Sequence, residues 1–593
     1  MSLNFIETLN TMMRTIEYDI LILGGGASGV AGAIQAARLG VSVLVVEESA
    51  WVGGMLTAAG VSAIDGNHRL PSGIWGEFRK RLREYYGGAE HLATGWVSHT
   101  QFEPRIGCQI LTEMLREYSN ITILYGYHFE SLSFSNRSIT DIIISNGSET
   151  LKVISNIYID ASEYGDLIEK YHCRFYTGRN SLKITGETNA PETTDGFIQD
   201  LTWVAVLKDF GPGTDRRIPK PDNYKPELYH GCHENLGSGV EAVQKMLDYG
   251  RLPNNKFMLN WPHKGNDYYL NYLGMDREKR NHEFRKARER TLGFVYYIQN
   301  ELNFPHIGLD TEEFPDTEGL ALIPYIRESR RIVGQILLTQ NDLLFPWTEK
   351  YQQGIAVGDY PLDHHHKQAG QDIIEEFPEV SAFSVPFGSL LPEDVDNLIA
   401  AEKNISVSHL ANGCTRLQPV VMGIGQAAGA AAAMSIKQNK LPKQLAVRDV
   451  QDILLAHNCY IVPVHDVTLD DNGFDSVQRI MASGIMMGES VHANWENRIH
   501  FNPHKPATWK LLKDTFSKAS LRANQIELHP YDFVKNADLF DIMDRQDIVH
   551  LQAIIPNNSE PLTRLKLAIL IDMFADPFHK KDMNKAITIM EQK

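Results

Sequence analysis

The sequence predicts an α/β fold: a doubly wound parallel sheet, a mixed α/β domain inserted into it, and a helical domain after it. Three observations lead there. From Tyr18 a strand-type run, a glycine turn and an alanine-rich helix follow one another, and a second apolar strand, VSVLVV, comes directly behind them. Between residues 397 and 439 the order strand, polar loop and long Gly/Ala helix returns, as expected if a distant segment completes the same sheet. Beyond about residue 464 the pattern changes to short amphipathic helices.

The first segment carries the most chemistry. YDILIL is followed by GGGASG and then by VAGAIQAARLG, whose Gly40 reads as the residue just past a helix end. Gly24, Gly26 and Gly29 satisfy G-x-G-x-x-G. The first allows the tight turn, the second lets the backbone approach a pyrophosphate, and the third lets the helix pack on the strand. Ala27 and Ser28 then open the helix, where free N–H groups would face phosphate oxygens. VSVLVV ends at Glu47, the right distance beyond the turn for an acid that accepts from ribose hydroxyls, with Glu48 serving if the strand runs one residue longer. These features describe a Rossmann-type dinucleotide-binding domain. Directly behind the second strand, WVGGMLT brings Gly53, Gly54, Met55 and Leu56 to a second close approach, an arrangement that favours FAD over NAD. A second G-x-G-x-x-G is missing, since GIGQAAG has one residue too many.

In the distant segment the loop before the Gly/Ala helix contains Thr415, Arg416, Leu417 and Gln418. A helix whose N-terminus points at a flavin pyrimidine would stabilise the negative charge that develops there on reduction. The alanines themselves read as a tightly packed core helix, and Gln426 makes the stretch a poor membrane span.

Seven blocks in order, GGGASGVAGA, WVGGMLTAAGVSAIDG, QFEPRIGCQILTEML, YIDASEYGDL with FYTGRN, YIRESRRIVGQ, AVGDYPLDHH, and NISVSHLANGCTRLQPVVMGIGQAAGAAAA, resemble the FAD-dependent oxidoreductase family of the glutathione-reductase-like flavoproteins, some of whose members are labelled xanthan lyase. They run from Tyr18 to about Pro463. The resemblance implies non-covalent FAD, held in part by Asp160 and Ala161, and a substrate domain between the two halves of the FAD domain. Ser162 stands where the family commonly has Thr, and Cys414 where it commonly has Ser. The expected division is 17–180 for the first part of the FAD domain, 181–394 for the insert, 395–463 for its second part and 464–593 for the helices.

Candidate catalytic groups lie between the glycine turn and the Gly/Ala helix. YIRESRR presents Arg327, Glu328, Arg330 and Arg331. Arg330 and Arg331 read either as structural ion pairs or as bidentate partners of a substrate oxyanion. Among His364, His365 and His366, His364 is a candidate general base. His409 and Asn412 belong to the loop that must reach the flavin. The expected reaction is hydride transfer between an organic, sugar-related substrate and flavin N5. A reductase of an activated double bond, and a glycan-associated protein with a structural flavin, are the alternatives.

Composition narrows the partners. A net charge of −17 opposes nucleic acid. Cys108, Cys173, Cys232, Cys414 and Cys459 form no C-x-x-C pair and no metal-ligand spacing, so no metal site is expected. The first residues lack the basic region and apolar run of an export signal, which points to a cytoplasmic protein, although a sequence stripped of its signal would look the same. In the C-terminal part, two helical segments weakly resemble S-layer-homology repeats; a helical appendage or a homodimer interface is the other reading.

Overall fold

A computed structural model describes residues 13–366, 377–493, 495–521, 532–543 and 548–580. The extreme N-terminal residues, on which the reading about export rests, lie outside the described residues. The chain forms two compact units. One comprises residues 1–340, 362–377 and 388–445, the other 341–361, 378–387 and 446–593.

The first unit is built on a seven-stranded sheet. Strand β1 (Arg14–Leu23) leads into helix α1 (Ala27–Arg38), and β2 (Val43–Glu47), all of whose side chains are buried, returns parallel to β1. Gly40 has φ +82°, the left-handed geometry that ends a helix without a Cβ penalty. Helices α2 (Gly73–Tyr86) and α3 (Pro104–Arg116) precede β3 (Ile121–Tyr125), which extends the parallel order beyond β2. Then β4 (His128–Ser135) and β5 (Ser138–Ser145) form an antiparallel edge, and the long β6 (Thr150–Asp160) runs back alongside β1. The mixed α/β architecture with its parallel Rossmann-like sheet is therefore as the sequence predicts.

The stretch between the two sheet-forming segments contributes an antiparallel sheet of β7 (Ala205–Asp209), β8 (Arg251–Leu252), β9 (Lys256–Leu259) and β10 (Ile307–Leu309), in the order β8-β9-β7-β10. Helix α4 (Arg277–Asn300) begins at Asp276, whose carboxylate accepts from the N–H of Lys279 at 2.8 Å. On β9 the buried Lys256 ammonium lies between the carboxylates of Glu103, Asp310 and Glu313, at 2.8–3.0 Å. A buried ammonium is tolerated because several opposite charges surround it.

The chain then returns to the main sheet. Strand β11 (Leu398–Ala400) pairs parallel with the last residues of β6, whose first residues pair with β5, so two strands share one edge of β6. The register sets Leu23, Asp160 and Ala400 side by side. Short helix α5 (His409–Thr415) and long helix α6 (Gln418–Gln438) follow. A Cβ on Gly425 would lie 2.0 Å from the carbonyl oxygen of Ser28, and one on Gly429 2.1 Å from that of Gly32, so α6 crosses α1 backbone to backbone. That contact explains the small-residue face. Among the described residues α6 alone has the length and mean hydropathy, 1.4, of a membrane span, and 89% of its apolar window is buried inside the protein.

The second unit contains an antiparallel strand pair, Gly354–Gly358 with Phe383–Pro386, a hairpin, Glu489–Ala493 with Glu496–His500, and several helices. Within it, Phe474–Ala482 and Arg564–Ala575 are tied by the ion pair Arg479–Asp572 at 2.6 Å. Two of its helices start at threonine caps: Thr508 accepts from Leu511 N–H at 3.2 Å and Thr563 from Lys566 N–H at 3.3 Å.

Candidate functional site

The carboxyl ends of β1, β2, β6 and β11 meet at a crevice of the first unit, where open α/β sheets bind their ligands. Its walls are Gly24, Gly26, Glu47, Glu48, Gly54, Ala161, Ser162, Glu163 and Tyr164, among others. The three glycines of the turn differ in what hems them in. A Cβ on Gly24, where φ is +100°, would lie 2.2 Å from the carbonyl oxygen of Ala161, and one on Gly29 would lie 1.9 Å from that of Gly24. Those two are required by the protein itself. At Gly26 the nearest atom would be 3.6 Å away, so protein packing leaves that position open on the side facing the crevice.

Strand β2 ends at Glu47. Its carboxylate accepts from Gly25 N–H at 2.7 Å and from Ser49 N–H at 2.8 Å, and burial pushes its pKa up to about 7. Glu48 turns instead toward His128, 3.6 Å away. The WVGGMLT loop folds against the glycine turn: Gly53 donates to the carbonyl of Gly25 at 2.8 Å, and a Cβ on Gly54 would come within 2.8 Å of Gly26 Cα. Gly54, Met55 and Leu56 form a buried single turn. Asp160 ends β6 with its carboxylate given over to the chain: it accepts from the N–H groups of Ser162, Leu167 and Ile168. Ala161, by contrast, packs its backbone on Gly24.

Two buried charged residues that the sequence reading passed over complete this end. Glu402 accepts from Ser28 at the start of α1, from its N–H at 3.1 Å and from its hydroxyl at 2.6 Å. Its backbone has φ +55°, a conformation costing a side-chain-bearing residue about 1–2 kcal/mol. Lys403 bridges Glu402 at 2.7 Å and Glu163 at 2.8 Å. The only signal in the sequence was a pair of opposite charges, EK, inside an otherwise apolar strand end.

At the other end, Thr415 closes α5, Leu417 precedes α6 and Gln418 opens it. Arg416 is buried, donating to the Tyr325 hydroxyl at 2.6 Å and to the Asp363 carboxylate at 2.8 Å. The Nε of Arg416, the Oε1 of Gln418 and the Oδ1 of Asn412 are buried with no partner among the described residues. Asp363 links Arg416, at 2.8 Å, to His365, at 3.6 Å, and Asp65 lies near enough for its charge to act on Arg416. Burial and the neighbouring Asp363 push the Asp65 carboxyl up to about 6. Burial acts to lower His365, but the carboxylates of Asp267, 2.6 Å away, and Asp363 outweigh it and hold the imidazole above its usual range. Asp65 closes the block WVGGMLTAAGVSAIDG; an acid next to a glycine at that point was the sign to follow.

The arginines of YIRESRR are all buried and heavily bonded. Arg327 donates to Asp200 O and to Thr202 Oγ1, at 2.8 and 2.9 Å. Arg330 reaches the carbonyls of Tyr164, at 2.7 Å, and Leu273, and pairs with Glu169 at 2.8 Å. Arg331 donates to Asn180 Oδ1 and Val407 O at 2.7 and 2.8 Å, to Gly178 O, and faces Glu328 at 3.3 Å. His364 points its Nε2 at the carbonyl of Leu410, 2.9 Å away, and burial pulls its pKa down to about 3.

This set of groups fits an FAD. The turn offers an open glycine among closed ones, and a carboxylate waits at the end of β2. The N-terminus of α1 already holds an anion, the Glu402 carboxylate, at the N–H of Ser28. Unpaired buried donors and acceptors gather before α6. The sequence profile of the family described as FAD dependent oxidoreductase matches residues 19–454. Among solved structures the chain is similar to p-nitrophenol 4-monooxygenase from Pseudomonas putida, at 14% identity over 33% of this chain and 49% of that one, TM-score 0.22. It thus spans about half the length of that monooxygenase. It is also similar to a geranylgeranyl bacteriochlorophyll reductase-like protein from Thermoplasma acidophilum, at 8% identity over 75% and 85% of the two chains, TM-score 0.34. For an E. coli quinol fumarate reductase chain the values are 12%, 97%, 89% and 0.29. The chain belongs to the FAD-dependent oxidoreductase family, an enzyme family whose cofactor is FAD.

Proposed function

We propose that this enzyme moves a hydride between a hydroxylated, saccharide-class substrate and a non-covalently held FAD, with the Asp65, His365 and Arg416 cluster as its catalytic centre. The observation that carries this reading is the cluster itself: a carboxyl raised to about 6 beside a buried arginine with an unspent donor, next to the helix start where the flavin ring belongs. When bound, FAD supplies the two-electron acceptor. Gly24, Gly26 and Gly29 would cradle its diphosphate, Glu47 would accept from the ribose, and residues 415–418 would meet the ring.

The chain's own groups do the rest. At neutral pH Asp65 is ionised and takes the proton of a substrate hydroxyl as its C–H bond is broken. Arg416, held by Tyr325 and Asp363, offers its free Nε to a substrate oxygen. His365, clamped between Asp267 and Asp363, keeps Asp363 in place. Arg330 and Arg331 position the loops around this centre through backbone carbonyls, Asn180 and the ion pairs with Glu169 and Glu328. Residues 181–394, with their antiparallel sheet, serve as the substrate domain, and the many carboxylate and guanidinium groups suit a polyhydroxylated ligand.

The test is direct. Purified protein, freed of air, is mixed with a panel of sugars, sugar acids and amino alcohols, and flavin absorbance is followed. A hydroxylated sugar should bleach it, more slowly in Asp65→Asn. Bleaching by none of them, with rapid reoxidation of chemically reduced enzyme by an activated alkene, would replace this reading with the reductase.

A further inference from the structure

Three imidazoles in the first unit converge on one point, none of them among the groups given a catalytic role above. His364 and His366 come from the segment before residue 367, and His409 opens α5. The Nε2 atom of His366 lies 3.2 Å from Nδ1 of His364 and 3.3 Å from Nε2 of His409. One ring nitrogen from each of the three lies within 4.8 Å of the others.

The outward-facing nitrogens decide the tautomers. Nε2 of His364 faces the carbonyl oxygen of Leu410, which can only accept, so the proton is on Nε2 and Nδ1 carries a lone pair. Nδ1 of His409 faces the Glu328 carboxylate at 3.0 Å, so the proton is there and Nε2 carries a lone pair. Both lone pairs point at Nε2 of His366, which has at most one proton to give. Its own Nδ1 is buried without a partner among the described residues. Whichever tautomer His366 takes, a protein-only arrangement leaves at least one buried lone pair unmatched, at a cost of about 1–3 kcal/mol. With the proton on Nδ1, three lone pairs converge.

That is the electronic pattern of a metal site. Metal–nitrogen bonds of about 2.0–2.1 Å at tetrahedral angles set ligand nitrogens about 3.3 Å apart, the spacing found for His366 with each of the other two. The outer contacts match as well, because metal-bound histidines hold their other N–H on a carboxylate or a backbone carbonyl, as His409 does on Glu328 and His364 on Leu410. We propose that His364, His366 and His409 bind a divalent late first-row transition metal, zinc by the tetrahedral three-histidine arrangement, with the fourth position left to water or substrate. The cysteine-based expectation of no metal site missed it because His409 and His364 are far apart in sequence. The site does not depend on the reading of Asp65.

The experiment uses the full-length protein, dialysed against zinc and then against buffer, with metal measured by elemental mass spectrometry. One zinc per chain is expected, with an X-ray absorption spectrum dominated by imidazole nitrogen. His366→Ala should lose it while keeping its far-ultraviolet circular dichroism and bound FAD, since the removed ring makes no other bond that the fold needs. Glu328→Gln should weaken zinc about 10- to 100-fold by releasing the outer hydrogen bond of His409. His465, part of a separate Asp359–His465–Glu496 group in the other unit, is the control. Folded wild-type protein that takes up no zinc overturns the proposal, and so does zinc that survives His366→Ala but is lost in His465→Ala.

Discussion

The nucleotide cradle and the buried arginine cluster are built on opposite plans. In the cradle, Gly24, Gly26, Gly29, Gly53 and Gly54 bring the chain close to itself, and what matters at each of them is a side chain that is missing. In the cluster, Arg327, Arg330 and Arg331 donate hydrogen bonds to groups that lie 57 to 166 residues away, and what matters is a side chain with many donors to satisfy. Backbone recognition announces itself in sequence because only glycine meets its geometric demand. A buried guanidinium does not, because any carbonyl or carboxylate brought near by the fold will serve.

The sharpest break in this contrast lies within the cradle. Gly26→Leu should abolish FAD binding at a smaller cost in thermal stability than a substitution at Gly29, since a Cβ at Gly26 would meet no protein atom nearer than 3.6 Å. Gly29→Ala should instead unfold more readily, by about 3 kcal/mol, because its Cβ would meet a backbone oxygen. Denaturant melts with and without FAD measure both, and FAD retained by Gly26→Leu would break the assignment of the turn.

The cluster is next in size. Arg331→Ala leaves Glu328 buried with a weaker partner set and should cost about 3–5 kcal/mol. Arg330→Ala, whose partner Glu169 reaches solvent, should cost about 2 kcal/mol. Urea midpoints decide this. If both variants stay stable and lose only turnover, the arginines act on substrate and belong with the catalytic groups.

A smaller and more specific effect is expected of Asp65. With its carboxyl raised to about 6, it is protonated and idle as a base below that pH and ionised above it. Substrate oxidation should therefore rise with pH through about 6 and level off. Asp65→Asn should remove that limb and lower kcat/KM about 100-fold with the FAD spectrum unchanged. A wild-type profile flat across this range removes Asp65 from the role.

The smallest change is a gain. Glu402 occupies the donors at the start of α1 that a diphosphate would use. Glu402→Gln weakens that resident contact and should tighten FAD about tenfold, as read by fluorescence titration. An unchanged or weaker affinity would mean that the carboxylate and the cofactor do not compete.

Much of the fold was legible in the sequence for a local reason. YDILIL and VSVLVV are short, apolar and separated by one helix; Gly24, Gly26 and Gly29 mark a turn; Thr508 and Thr563 mark helix starts. Each depends on residues within one or two turns of chain. The small-residue face of 418–438 was also readable as close packing, although the partner backbone, that of Ser28 and Gly32, was not.

By itself, then, the sequence determined the strand–turn–helix unit, an acid near the end of the second strand, the family and through it FAD, since these rest on glycine conformation, hydrophobic period and ordered motifs. Only the tertiary structure decided that β6 shares one edge between β5 and β11, which brings Glu402 to the start of α1. It alone placed Asp65 beside Arg416 and His365, and His409 against His364 and His366. The physical reason is distance along the chain. Sheet register and burial choose which remote side chains face each other, and neither periodicity nor motif spacing encodes a pairing across hundreds of residues.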